Sequence, residues 1–126
     1  MDWNEYLKAS QRTSAEDSLQ HAVLGIGTEA GELLDAYKKN RFYAAPLDRV
    51  NLKEEIGDLM WYVAMLCRNK GFDLHECLDL NIAKLKRRYP NAFDEVKAVY
   101  RNLPAERNAL ETPLDASARI QTGDDL

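Results

Sequence analysis

The sequence predicts an all-α chain, a bundle of four to five helices. Three observations predict it. Apolar residues recur at helical spacing, no run of alternating β-branched residues occurs, and Pro and Gly fall between the periodic segments. At 126 residues the chain is long enough for one domain with a modest core.

The elements follow in order. A short first helix is expected from Asp2 to Ala9. A long second helix is expected from Ser14 to Lys39, opened by a capping box of either Thr13 with Glu16 or Ser14 with Asp17. The loop from Asn40 to Leu47 contains Pro46. The third helix starts at Asp48 or Asn51, runs to Asn69 and stops at Gly71. Asp73 with Glu76 opens a fourth, which ends before Tyr89-Pro90. A fifth short helix spans Ala92 to Asn102. Beyond Pro104 the residues are polar, the composition of a disordered segment. The expected division is therefore a helical domain over 1–103 and a tail over 104–126, packed on a neighbouring subunit.

Composition excludes several classes. Hydrophobic residues make up 45% and charged residues 30%, which fits an ordinary globular chain. A net charge of −4 argues against binding a nucleic-acid polymer. The start lacks the cationic and apolar regions of a signal peptide, and no apolar run is long enough to span a membrane. Cys67 and Cys77 form no CxxC pattern and read as small core residues in a reducing cytoplasm.

Two acidic pairs carry the chemistry: Glu29-Ala-Gly-Glu32 and Glu55-Ile-Gly-Asp58. Spacing of i, i+3 puts both carboxylates of a pair on one helix face. Two antiparallel helices can then gather four hard oxygen ligands around one point, which suits Mg²⁺ or a similar cation. A solvated helix surface is the ordinary fate of one such pair. Here both pairs border apolar stripes: Ala22, Ile26, Ala30, Leu33 and Tyr37 on the second helix, and Leu52, Ile56, Leu59, Val63 and Leu66 on the third. Unpaired carboxylates buried side by side cost several kcal/mol, a cost that a divalent cation removes. Gly25 and Ala36 share the acidic edge, and their small size is expected to leave room for a ligand. On the third helix Tyr62 lines the acidic edge, Trp61 and Met65 extend the apolar surface, and only Lys53, Gly57 and Arg68 read as solvated. A helix apolar on most sides points to a subunit interface. Glu54, three after Asn51, reads as a capping residue.

The fourth helix adds cations. Asn81, Lys84 and Arg88 share a face beside Leu78 and Leu85. They read either as phosphate ligands next to a metal cluster or as a basic face that offsets the acidic helices. Lys39, near the helix C-terminus, lies on the side of Glu32 and is a further candidate for phosphate contact.

The combined motifs resemble the ExxE…ExxD signature of the all-α nucleoside triphosphate pyrophosphatases, nearest to the MazG-like branch. The resemblance rests on His21-Ala-Val-Leu-Gly-Ile-Gly-Thr-Glu-Ala-Gly-Glu-Leu-Leu-Asp-Ala-Tyr-Lys38, on Glu54-Glu-Ile-Gly-Asp-Leu-Met-Trp-Tyr62 and on Asn81-x-x-Lys84-x-x-x-Arg88-Tyr-Pro90. It covers about residues 3–92. Trp61 stands where many relatives carry Phe. The short stand-alone form also resembles phage-encoded versions, which would place the chain in a host cytoplasm.

The resemblance implies a homodimer or homotetramer, built as a dimer or a dimer of dimers. It implies hydrolysis of a (d)NTP to (d)NMP and pyrophosphate, with two to three Mg²⁺ or Mn²⁺ per site. Glu29, Glu32, Glu55 and Asp58 would hold the metals, with Glu32 orienting the attacking water and Glu29 beside it in catalysis. Asn81, Lys84, Arg88 and Lys39 would hold the phosphates. Trp61, Leu24, His21 and Gln20 are the candidates near the base, although Trp61 reads equally as interface core and His21 as a capping or packing residue. The surroundings of Gly25, Gly27 and Trp61 look roomy, which slightly favours a purine such as dGTP. Competing readings are a non-enzymatic helical interaction module and a dUTPase- or dCTPase-like pyrimidine hydrolase. A di-iron bundle needs Glu-x-x-His pairs. Ser18 and Phe72 stand where those Glu residues would be.

Overall fold

Side-chain caps set where the helices begin. A computed structural model describes residues 1–112, and residues 113–126, most of the expected tail, lie outside the described part. Six helices are present among the described residues: α1 (Trp3–Gln11), α2 (Leu19–Tyr43), α3 (Arg49–Lys70), α4 (Leu74–Arg88), α5 (Glu95–Val99) and α6 (Leu103–Glu111), with no strand. Asp2 and Glu5 form a capping box on α1. Asp48 caps α3 by accepting from Val50 N and Asn51 N. Asp73 caps α4 and Asp94 caps α5. Because Asp48 is the α3 cap, the cap expected between Asn51 and Glu54 is not made.

α2 begins five residues later than expected, after Ser18, whose hydroxyl accepts from His21 N. Neither expected capping box forms. Ser14 Oγ instead donates to Asp17 Oδ1, and the Asp17 carboxylate is taken by Arg68. At its other end α2 continues past Lys39 to Tyr43 and stops at Ala44, held in the left-handed region at φ 53°. Gly71 closes α3 as expected, at φ 66°.

Residue contacts divide the chain into two units, Met1–Phe72 and the residues from Asp73 onward. In the first, α2 packs along α3 and α1 packs on α3. The α2–α3 pair is antiparallel. His21 and Gly25 meet Tyr62 near one end, and Glu29 meets Glu55 and Asp58 further along. Arg68 ties this unit together. Its guanidinium donates to both Asp17 oxygens at 2.8 and 3.0 Å, to Ser10 Oγ at 2.8 Å and to Leu7 O at 3.2 Å. The expected solvated sector is therefore wrong for Arg68, whose side chain is only 10% exposed. A charge is tolerated there because four of its five N–H donors meet acceptors, two of them on the Asp17 carboxylate. The expected core stripe also fails at Ile56, which is 55% exposed. Buried positions on α3 are instead Glu55, Ala64, Met65 and Cys67.

In the second unit α4 packs on α6. The helix α6 was not expected, and the division expected at residue 103 falls at its first residue. Pro104, read as the start of a polar tail, sits in the first turn, where a missing N–H costs nothing. Asn102 caps that turn through Ala105 N at 3.1 Å. Residues 103–111 pack on α4 of their own chain. Cys77 is exposed, which corrects its reading as a core residue, whereas Cys67 is buried.

Few large side chains are fully buried among the described residues. Met65 is the one below 2% exposure, while Val23, Leu34, Tyr37 and Ile56 are exposed.

Candidate active site

The α2–α3 seam brings three of the four motif carboxylates together. Oxygen atoms of Glu29, Glu55 and Asp58 all lie within 4.8 Å of one another. Glu55 is buried, Glu29 half-buried and Asp58 exposed, so the cluster opens to one side. Burial pushes the Glu29 carboxyl above its ordinary pKa, and the neighbouring Asp58 and Glu55 charges push it the same way. Asn51, one turn before Glu55, donates from Nδ2 to Glu55 Oε1 at 2.8 Å and fixes that carboxylate. The i, i+4 spacing of Asn51 and Glu55 was the signal in the sequence for this partner.

Glu32 stands outside that triad. It lines a recess of about 210 Å³ with Asp35, Ala36, Lys39, Asp48 and Asn51. Lys39 and Asp35 pair at 2.5 Å, which raises the Lys39 pKa and lowers that of Asp35. Asn51 reaches both places, since it lines this recess and holds Glu55. A carboxylate triad beside a recess containing an ammonium suits a cation and an anionic ligand together.

Beyond the acids, aromatic side chains meet edge-on. Trp61 and Tyr62 rings lie 5.0 Å apart at 89°, and His21 meets Tyr62 at 5.4 Å and 66°. Trp61 Nε1 donates to Thr13 Oγ1 at 2.9 Å, and Thr13 in turn donates to Ser10 O at 3.0 Å. Leu24 is exposed and takes no part in these ring contacts. One expectation fails here. A Cβ on Gly25 would lie 2.2 Å from the Tyr62 ring, so that small residue makes room for Tyr62 and not for a ligand. Nothing stands within 4 Å of the Cβ direction at Gly27.

The cationic candidates Asn81, Lys84 and Arg88 all lie on α4 in the second unit. Asn81 is exposed and Lys84 half-buried. Arg88 is engaged in a two-pronged pair, Nε to Glu106 Oε1 at 2.8 Å and Nη2 to Glu106 Oε2 at 3.0 Å. Glu106 lies 18 residues away, so no local spacing announced it.

Residues 17–93, more than half the chain, match the model of the MazG nucleotide pyrophosphohydrolase domain. The chain belongs to the MazG family. That family is one of nucleotide pyrophosphohydrolases and generally depends on divalent metal, and its domain is all-α, as found here. The match takes in the Glu29/Glu55/Asp58 triad, the Trp61, Tyr62 and His21 rings and Arg88, and it leaves out α1, α5 and α6. A similar protein is the Gene 37 protein of Mycobacterium phage L5. It is 32% identical over 76 residues, which cover 57% of this chain and 67% of that protein. This likeness is consistent with a phage-type MazG member. No solved structure matches the chain. Among the described residues no helix is long and apolar enough to cross a membrane.

Proposed function

We propose that the chain hydrolyses a (d)NTP to the (d)NMP and pyrophosphate, in control or sanitation of a nucleotide pool. The convergence of Glu29, Glu55 and Asp58 within 4.8 Å carries this reading. Three carboxylates this close repel one another, and hard oxygen donors at this spacing suit Mg²⁺ or Mn²⁺. Glu29, Glu55 and Asp58 would hold two to three such ions, with Glu32 from the adjoining recess. When bound, the ions neutralise phosphate charge and acidify water.

The chain's own groups do the rest. Glu32 orients a water oxygen toward the α-phosphorus and takes its proton, and Glu29 stands beside it. The new P–O bond forms as the bond to the α,β-bridging oxygen breaks, and pyrophosphate leaves with the bonding electrons. Lys39, Asn81, Lys84 and Arg88 stabilise the charge that gathers on the phosphates. Glu106 leaves part of the Arg88 fork for this, because Nη1 takes no part in their pair. Trp61 and His21 offer ring faces to the base, and Leu24 an apolar contact. Stacking gives affinity more than base identity.

A purine deoxynucleotide such as dGTP remains the slight preference on the open space at Gly27. Tyr62 filling the space over Gly25 favours a second reading, a dUTPase- or dCTPase-like choice of the smaller base. The exposed apolar residues Val23, Leu34, Tyr37 and Ile56 support a homodimer or homotetramer. The phage likeness supports action in a host cytoplasm.

The test is pyrophosphate release from a panel of canonical and modified (d)NTPs, with Mg²⁺, with Mn²⁺ and with EDTA. Metal-dependent release with the matching monophosphate names both reaction and base. No release from any triphosphate rejects the reading in favour of a helical interaction module.

A further inference from the structure

The second unit holds a recess of about 350 Å³ where the last turn of α4 faces the first turns of α6. Arg87, Arg88, Lys97, Tyr100, Asn102 and Glu106 line it. Its charge is lopsided, with three cations facing one carboxylate. That carboxylate is already committed. Glu106 is buried, and its two oxygens accept from Arg88 on one side and from Arg101 on the other. These partners hold its carboxyl far below the usual range, so it stays ionised and keeps the Arg88 fork fixed.

Among the described residues, no ion pair to Arg87 or Lys97 is found. Arg87 makes one long contact, Nη2 to Asn108 Oδ1 at 3.4 Å, and is otherwise open to solvent. The positive end of the α6 dipole enters at Asn102. Guanidinium forks match the oxygens of a phosphate, and several positive charges around one recess suit an anion with more than one negative charge. Tyr100, 79% exposed, adds an aromatic wall.

We propose that this recess is a binding site for a diphosphate group. It is built by residues 87–106, which run beyond the 17–93 family match, and its chemistry requires no metal. The group can arrive as free pyrophosphate or as the phosphate tail of a nucleotide. The proposal goes beyond the catalytic reading, which draws on Arg88 alone among these residues.

The experiment is isothermal titration of the full chain with sodium pyrophosphate in EDTA, alongside Glu55→Gln and the double variant Arg87→Glu/Lys97→Glu. Wild type and Glu55→Gln should bind alike, and the double variant at least 10-fold more weakly with an unchanged helical spectrum. If charge reversal disturbs the helices, Arg87→Gln/Lys97→Gln replaces it, with the same expectation. Equal binding by the folded double variant, or no binding by wild type, overturns the site. Loss of binding in Glu55→Gln also overturns it, because binding would then depend on the α2–α3 seam and not on this recess. A parallel titration with a nucleoside diphosphate separates the sources: tighter binding that Tyr100→Ala weakens marks a nucleotide tail, and equal affinity marks the free anion. Absence of hydrolysis in the triphosphate panel would leave this metal-free result untouched.

Discussion

Glu55→Gln should stabilise the metal-free protein while it removes metal binding. The three carboxylate oxygens lie within 4.8 Å of one another. Two unit charges at such a separation repel by about 1 kcal/mol in water and about 3 kcal/mol at an effective dielectric of 20. Glu55 is buried and Asp58 exposed, so the true figure falls between those limits. Gln keeps the shape, and its Oε1 still accepts from Asn51 Nδ2. The expected gain in EDTA at pH 8 is about 1–3 kcal/mol, or roughly 4 °C of Tm for each kcal/mol in a chain of this size. Magnesium should reverse the order. At a concentration 100 times its Kd, an ion stabilises the wild type by about 2.7 kcal/mol. The variant should gain little of that and hydrolyse no triphosphate. Thermal melts of both proteins in EDTA and in Mg²⁺, at one protein concentration, decide the matter. A variant less stable than wild type in EDTA, or one with the same Mg²⁺ shift, would show that these carboxylates do not form a repulsive metal site.

Other perturbations follow from the same contacts. Arg68→Ala removes four hydrogen bonds and leaves Asp17 without its partner. Urea unfolding should show a loss of about 2–4 kcal/mol, and a loss under 1 kcal/mol would mean that solvent replaces the clamp. The Arg68 guanidinium holds the Asp17 carboxyl below its ordinary pKa. The stability this adds is full above the ordinary carboxylate value near 4 and is lost as pH falls through the lower folded value. Stability measured from pH 6 to 2 should therefore fall less steeply in Asp17→Asn than in wild type; equal slopes would remove Asp17 from the account. Gly25→Ala puts a Cβ 2.2 Å from the Tyr62 ring and should cost about 1–3 kcal/mol by overpacking. Adding Tyr62→Ala should abolish that increment in a double-mutant cycle, and strict additivity would show that the two residues do not touch.

Much of the acidic site was legible because its geometry is local. A spacing of three residues places Glu55 and Asp58 on one face of any helix, and a short loop after α2 returns α3 beside it. The position of Glu32 was less so. Its face is fixed by the helix, but whether it joins the triad depends on how α2 and α3 cross, and it lines the Lys39 recess instead. Gly25 misled for a similar reason. Smallness shows that something approaches closely, without saying whether it is a ligand or Tyr62. Arg68 misled because a cation in sequence carries no mark of the acceptors that meet it, and here Asp17 lies 51 residues away.

The sequence by itself determined the first four helices in outline, the opening of α4 at Asp73, the stop at Gly71 and the two carboxylate pairs. Each depends on backbone chemistry within a few residues. It also carried the MazG motifs, because these are strings of neighbours. Tertiary structure alone decided which side chains share a space. It placed Tyr62 over Gly25, Thr13 against Trp61 and Glu106 on Arg88. It also turned the polar stretch after Pro104 into α6, since a helix of this length gains its stability from packing more than from propensity. Such contacts join residues distant in sequence, and their energies depend on burial, which only the packed helices define.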